Sequence, residues 1–201
     1  MKPLLSITIP TVEKRKKCFE EFYEEIIRQS NPYGNQIEII SLCDNKEMTI
    51  GEKRNKLNEI AKGKYVVQWD DDDWISKDAI QLIMEAIDLN VDCITHKSPI
   101  DKDEMWKDEF FYYSIKHMWE FKKNTWYIVP DQKCPIKKEI IDKVKFEHIR
   151  TKEDYEFGIS IKNLLKTEYF IPTPIYFHLN RSNESMNNFN GRYGIKTNKL
   201  I

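Results

Sequence analysis

The chain has 201 residues, enough for one domain with a core of its own. Its 32 Lys and Arg nearly balance 33 Asp and Glu, so a net charge of −1 gives no whole-protein drive toward nucleic acid, although local basic patches are allowed. With 40% hydrophobic and 12% aromatic residues it is globular and not disordered, and no apolar run approaches the ~20 residues that span a bilayer.

Met1 to Ser6 runs straight into strand-like sequence and does not read as a signal peptide. Leu4 to Pro10 reads as a first strand, stopped by Pro10. Cys18, Phe19, Phe22, Tyr23, Ile26 and Ile27 then share one face of a helix. The basic run Lys14-Arg15-Lys16-Lys17 reads as a solvated helix face. After the turn Asn31 to Asn35, Ile37 to Leu42 forms a second strand ending at Asp44. Thr49 caps a helix from Ile50 to Ala61, with Gly63 stopping it. Tyr65 to Trp69 is a buried strand, Ser76 caps a helix from Lys77 to Leu89, and Val91 to His96 is another strand.

This alternation predicts a mostly parallel central sheet with flanking helices. The segment Met105 to Val129 is rich in rings and suits antiparallel strands or a wall facing an acceptor. Helices are expected from Lys137 and over Asp154 to Leu165, with a strand over Glu168 to Ile171. The polar tail from Asn187 is expected to be mobile. Cys18, Cys43, Cys93 and Cys134 form no Cys-x-x-Cys pair, which fits reduced thiols in a cytoplasmic protein better than zinc.

Asp70 to Asp73, four acids directly after a buried strand, is the most informative feature. Like charges packed at a strand end repel unless something positive sits there. Oxygen ligands suit a hard cation, Mg²⁺ or Mn²⁺, and in open α/β sheets ligands bind beyond the carboxyl ends of strands. A solvated acidic turn is the plain alternative. An EF-hand is excluded, because Ile75 stands where the loop needs Gly and Gln81 where it needs Glu.

Taken together, Leu4 to Ser185 resembles a family 2 glycosyltransferase of the GT-A fold. The carrying segments are Ser6 to Thr11, Asp44, Gly51 to Tyr65 with its Arg54-Asn55 pair, Asp70 to Asp73, Glu153-Asp154, and Tyr176 to Ser185. The loop after Pro10 lacks the aromatic-Asn pair common in that family.

The resemblance implies one GT-A-type α/β domain over 1–201 with a small antiparallel acceptor-side region. It divides into a nucleotide-sugar half (1–100), an acceptor half (101–186) and the tail (187–201). It implies that Asp154 is the catalytic base, at a helix start that favours ionised carboxylate. Pro10, Thr11, Asp44, Arg54, Asp70, Asp71, Asp73 and Arg181 would contact the nucleotide sugar. Asp72, with Asp70 and His178, would hold Mn²⁺ or Mg²⁺. The implied function is transfer from a nucleotide-diphosphate sugar, UDP-linked by expectation, to an acceptor hydroxyl with inversion. A glycan, a lipid or a protein fits as the acceptor. Two alternatives stay open: a modified nucleic-acid base as acceptor, for which the lysines of Lys133 to Lys145 would have to gather at the site mouth, and a non-catalytic nucleotide-binding module.

Overall fold

The computed structural model describes residues 2–101 and 109–179. β1 (Leu5–Val12) leads through a 3₁₀ turn at Glu13–Arg15 into α1 (Lys16–Ser30). β2 (Ile37–Asp44), α2 (Ile50–Ile60), β3 (Tyr65–Gln68), a short β4 (Trp74–Ile75) and α3 (Ala79–Ile87) follow. The second half holds β5 (Cys93–Asp101), β6 (Phe110–Tyr113), β7 (Glu120–Lys122), β8 (Thr125–Ile128) and β9 (Ile136–Lys137). It closes with α4 (Lys138–Ile141), α5 (Glu153–Lys162), β10 (Glu168–Ile171) and β11 (Tyr176–Leu179). Arg181 and the tail 187–201 lie outside the described residues.

The sheet runs β2-β1-β3-β9-β5-β6-β8-β7, with β10 and β11 also pairing β5. β1 is parallel to β2 and β3, and β10 and β11 are parallel to β5, whereas β9 enters antiparallel to both β3 and β5. The ring-rich region is mixed: β6 runs antiparallel to β5 but parallel to β8, and β7 pairs antiparallel with β8. Side-chain alternation divides the core. Leu5, Ile7, Ile9, Tyr65 and Val67 face α1 and α3, together with Phe22, Ile26, Ile80 and Ile83. Val66 points the other way, to Ile136, Phe146, Phe157 and Ile161.

Three local expectations are corrected. β1 does not stop at Pro10. Trp69 N–H donates to Thr8 O at 3.0 Å, so the backbone groups of Thr8 and of Pro10, two residues on, face the β3 side. The register with β3 ends at Gln68, so the missing proline N–H breaks no ladder bond, and β2 continues to pair on the other side as far as Asp44. Ser76 does not cap the following helix. Its Oγ donates to Asp78 Oδ1 at 2.7 Å, and the Gln29 side chain of α1 accepts from Ile80 N at 3.1 Å. Gly63 does not act as a left-handed helix stop, since α2 ends through an extended Ala61. Gly63 is required by close approach instead: a Cβ there would lie 2.5 Å from Ser6 N.

The cap at Thr49 is as read from the sequence. Glu52 N donates to Thr49 Oγ1 at 3.2 Å and Thr49 N to Glu52 Oε2 at 2.8 Å, a capping box. α2 is unusual in what it buries: Lys53, Arg54, Asn55 and Asn58, polar residues that a helix normally turns to water. Asn55 clamps the backbone of Phe146 with two bonds, at 2.9 and 2.8 Å. Gly51 sits against Glu147, whose O would lie 1.8 Å from an added Cβ. These contacts press the charged face of α2 onto the carboxyl ends of β1 and β3. No described helix is long and apolar enough to cross a membrane.

Candidate active site

β3 ends at Gln68, and the acidic run turns directly after Trp69. Asp73 N donates to Asp70 O at 3.2 Å, folding the four carboxylates into a tight turn. Each then meets a different environment. Asp70 Oδ1 accepts from Arg54 Nη2 at 2.7 Å, and Lys133 Nζ lies 3.9 Å from Asp70 Oδ2. Burial raises the Asp70 pKa, but Arg54 and Lys133 outweigh it and bring it down to about 2. Asp71 is fully buried between Thr11 Oγ1, which donates to it, and Arg15 Nε at 3.0 Å; burial dominates and pushes its pKa up to about 6. Asp72 is the most open of the four and accepts from Arg15 Nη1. Asp73 is held by Tyr176 Oη and by Leu179 N at 2.8 Å. Burial, with the like charges of Asp72 and Asp70, raises the Asp73 pKa well above its ordinary value.

Opposite this turn, α5 begins after Lys152, a non-glycine residue at φ 68°. Glu153 reaches Arg54 Nε at 3.4 Å, and Lys133 Nζ lies 3.9 Å from Asp154 Oδ2. Arg54 and Lys133 therefore bridge the strand end to the helix start. Both are buried, and carboxylates hold both firmly protonated against burial. Asp131 supports Lys133 by accepting from its backbone N at 2.9 Å, and burial lifts the Asp131 pKa to about 6.

Among the described residues, a cleft of about 410 Å³ opens here, lined by Pro10, Thr11 and Val12 of β1, by Asp70, Asp72 and Glu153, and by the basic Arg15, Lys46, Lys53, Arg54 and Arg150. Asp44 stands just behind this lining. One of its oxygens accepts from Lys53 Nζ and the other from Met48 N at 2.9 Å, while Lys53 also donates to Thr11 O at 2.5 Å. Burial raises the Asp44 pKa, but the bonds from Lys53 and the Met48 backbone prevail and lower it. Asp44 thereby ties the ends of β1 and β2 to α2.

His178 lies beside the acidic turn, with Nδ1 3.6 Å from Asp73 Oδ2 and Nε2 3.3 Å from Tyr113 Oη. Burial, then Lys133, lowers its pKa well below the ordinary value, leaving a neutral ring with both nitrogens facing protein groups. Among the described residues no group of three or more His, Cys, Asp or Glu is disposed as a metal cage. What the cleft offers is Asp70 and Asp72. That donor set fits a hard divalent cation completed by phosphate oxygens and water, and not an all-protein site.

Several site residues escaped the sequence reading. Arg15 was assigned to a solvated face, yet it pairs with two of the four acids. Lys53 carried no local signal beyond its neighbour Arg54. Lys133 reads in the sequence only as the first lysine of the basic stretch Lys133 to Lys145, and Tyr176 only as part of a closing segment. The lysines at 137, 138 and 145 do not gather at the mouth. Lys137 and Lys138 line a cavity at the opposite end of the parallel strands, and Lys145 pairs Glu59 at 2.8 Å.

The parallel strands with an acidic turn and a flanking helix start define a GT-A-type fold. The sequence pattern of glycosyl transferase family 2 matches residues 23–145, more than half of the chain, and the protein belongs to that family of glycosyltransferases. Solved structures with this fold include S. aureus TarS 1-349 in complex with UDP-GlcNAc, 15% identical with a TM-score of 0.65 over 92% of this chain and 60% of that one. The same TarS segment in complex with UDP is 16% identical, with a TM-score of 0.64 over 95% and 63%. The mannosyltransferase PcManGT from Pyrobaculum calidifontis, in complex with GDP-Man and Mn²⁺, is 12% identical with a TM-score of 0.63 over 91% and 59%. The chain thus spans about 60% of the TarS segment it resembles. No curated protein sequence matches it.

Proposed function

We propose that this chain is a metal-dependent, inverting glycosyltransferase, moving a sugar from a nucleotide-diphosphate donor to an acceptor hydroxyl. The observation that carries the reading is that Asp70 and Asp72 line one cleft, with Asp154 nearby at the start of α5. Asp70 and Asp154 share Lys133 at 3.9 Å each, beside a cleft rich in cations. The solved neighbours bound to UDP-GlcNAc, UDP and GDP-Man support a nucleotide sugar as donor, and the Mn²⁺ of one supports a divalent cation.

Asp70 and Asp72 would hold Mn²⁺ or Mg²⁺, which when bound supplies Lewis-acid stabilisation of the leaving diphosphate. The chain does the rest. Arg15, Lys46, Lys53, Arg54 and Arg150 attract the diphosphate, and a guanidinium fork matches phosphate oxygens. Pro10, Thr11 and Asp44 shape the nucleotide end. Asp71 and Asp73 brace the acidic turn from behind. Asp154, partly open to solvent, accepts the proton of the acceptor hydroxyl, which attacks the anomeric carbon from the face opposite the diphosphate. Residues 1–100 would form the donor half of a single domain and residues 101–186 the acceptor half. The free thiols of the four cysteines support a cytoplasmic location.

A thermal-shift screen of nucleotide diphosphates and nucleotide sugars, with and without Mn²⁺, tests the reading. Ligand at 100 times its dissociation constant stabilises by about 2.7 kcal/mol. The expected shift requires Mn²⁺ and disappears in Asp72→Asn. Equal Mn²⁺-dependent affinity in wild type and variant would remove Asp72 from the site.

A further inference from the structure

Arg15 engages Oδ2 of Asp72, a carboxylate assigned above to the divalent cation. Its Nη1 donates to Asp72 Oδ2, while its Nε lies 3.0 Å from Asp71 Oδ1. The two carboxylates differ. Asp71 is fully buried, with its second oxygen held by Thr11 Oγ1, whereas Asp72 lines the cleft with a side chain 30% exposed. The guanidinium thus rests on a fully buried carboxylate at one end, in an ion contact without a hydrogen bond, and hydrogen-bonds an exposed carboxylate at the other. It projects from the 3₁₀ turn Glu13–Arg15, which contains no buried residue and no side-chain cap, so little packing fixes the turn.

We propose that Arg15 is an internal counter-ion: it holds Asp72 in the empty cleft, then yields Asp72 to the divalent cation and turns its Nη group to a diphosphate oxygen while keeping Nε on Asp71. The inference rests on the metal–diphosphate reading of the preceding subsection. A carboxylate oxygen engaged by a guanidinium is not available to a hard dication. The apparent metal affinity is therefore reduced by the fraction of molecules in which the pair is open. The fork that leaves Asp72 matches the geometry of phosphate oxygens, so the donor recovers the interaction that the metal displaces. Metal and nucleotide then each favour the binding of the other, and by linkage equally.

The test is titration of the full chain with Mn²⁺, read by the electron paramagnetic resonance signal of free Mn²⁺, with and without UDP. A calorimetric titration of UDP in the presence of Mn²⁺ accompanies it. In Arg15→Gln, Mn²⁺ alone is expected to bind about three- to tenfold more tightly than in wild type, and UDP with Mn²⁺ about three- to tenfold more weakly. Arg15→Lys keeps the charge but loses the fork. It should lie between the two, and it decides the question if Arg15→Gln does not fold. Unchanged or weakened binding of Mn²⁺ alone in the folded variants, with UDP still enhancing it, overturns the role of Arg15 and leaves the metal-dependent reading standing. Absence of Mn²⁺ binding to wild type and variants, with and without UDP, overturns both.

Discussion

The two ends of the same parallel strands carry charge in different ways. At the carboxyl end, cations and carboxylates are buried and shared: Arg54 serves Asp70 and Glu153, and Lys133 serves Asp70 and Asp154. The carboxyl groups there spread from a pKa of about 2 at Asp70 to about 6 at Asp71 and Asp131. At the amino end, Lys2, Lys62, Lys64, Lys137 and Lys138 line a cavity of about 650 Å³, and two of these lysines each pair with a single acid: Lys137 with Asp92 at 3.3 Å and Lys138 with Asp142. Surface charge in isolated pairs is ordinary solvation. Buried charge shared among several partners, with perturbed groups in a cleft, marks chemistry.

That contrast can be broken by substitution. The largest expected effect is on catalysis. Asp154→Asn keeps the size and hydrogen-bonding ability of the side chain but cannot take a proton, so turnover should fall by roughly 10²–10⁴ with donor affinity little changed. Transfer rate and product stereochemistry by NMR check this, and a retained anomeric configuration would reject the role. Next is stability. Arg54→Met leaves Asp70 and Glu153 without their buried partner and should cost about 3–5 kcal/mol in urea unfolding. Lys138→Met at the other end, where Asp142 is half open to water, should cost no more than about 1 kcal/mol. Equal losses would erase the distinction between the two ends.

Smaller again is Asp44→Ala, which removes the partner of Lys53 behind the nucleotide cleft. It should weaken nucleotide binding by about 1–3 kcal/mol in calorimetry. The smallest effect is a pH dependence at Asp131. Its folded pKa, about 6, lies above the ordinary 3.8, so the folded state binds more protons than the unfolded state in that window. The contribution of Asp131 to stability therefore falls as pH rises from 4 to above 6. The buried His96, with its pKa lowered by burial to about 4, works in the opposite sense, so the difference between proteins is the informative quantity. Asp131→Asn should gain stability relative to wild type as pH rises from 4 to 7. A difference independent of pH would show that Asp131 does not titrate as described.

The sequence by itself determined the local features. The period-two and helical patterns placed β1, β2, β3, α1 and α2, because alternating and 3.6-residue apolar spacing are properties of neighbouring residues. Thr49 fixed a helix start, and Asp70 to Asp73 marked the mouth of the sheet, because a helix cap and a charge run are also local. Only the tertiary structure decided which charges belong to that mouth. Arg15, Lys53 and Lys133 come from three separate segments, and their local patterns resemble those of solvated surface residues. It also decided that Pro10 continues a strand, because only the end of β3 shows that no donor is missed there. It gave Gly63 its reason, a backbone approach to Ser6. Long-range electrostatics and close packing depend on what lies across the sheet, and spacing along the chain does not contain that information.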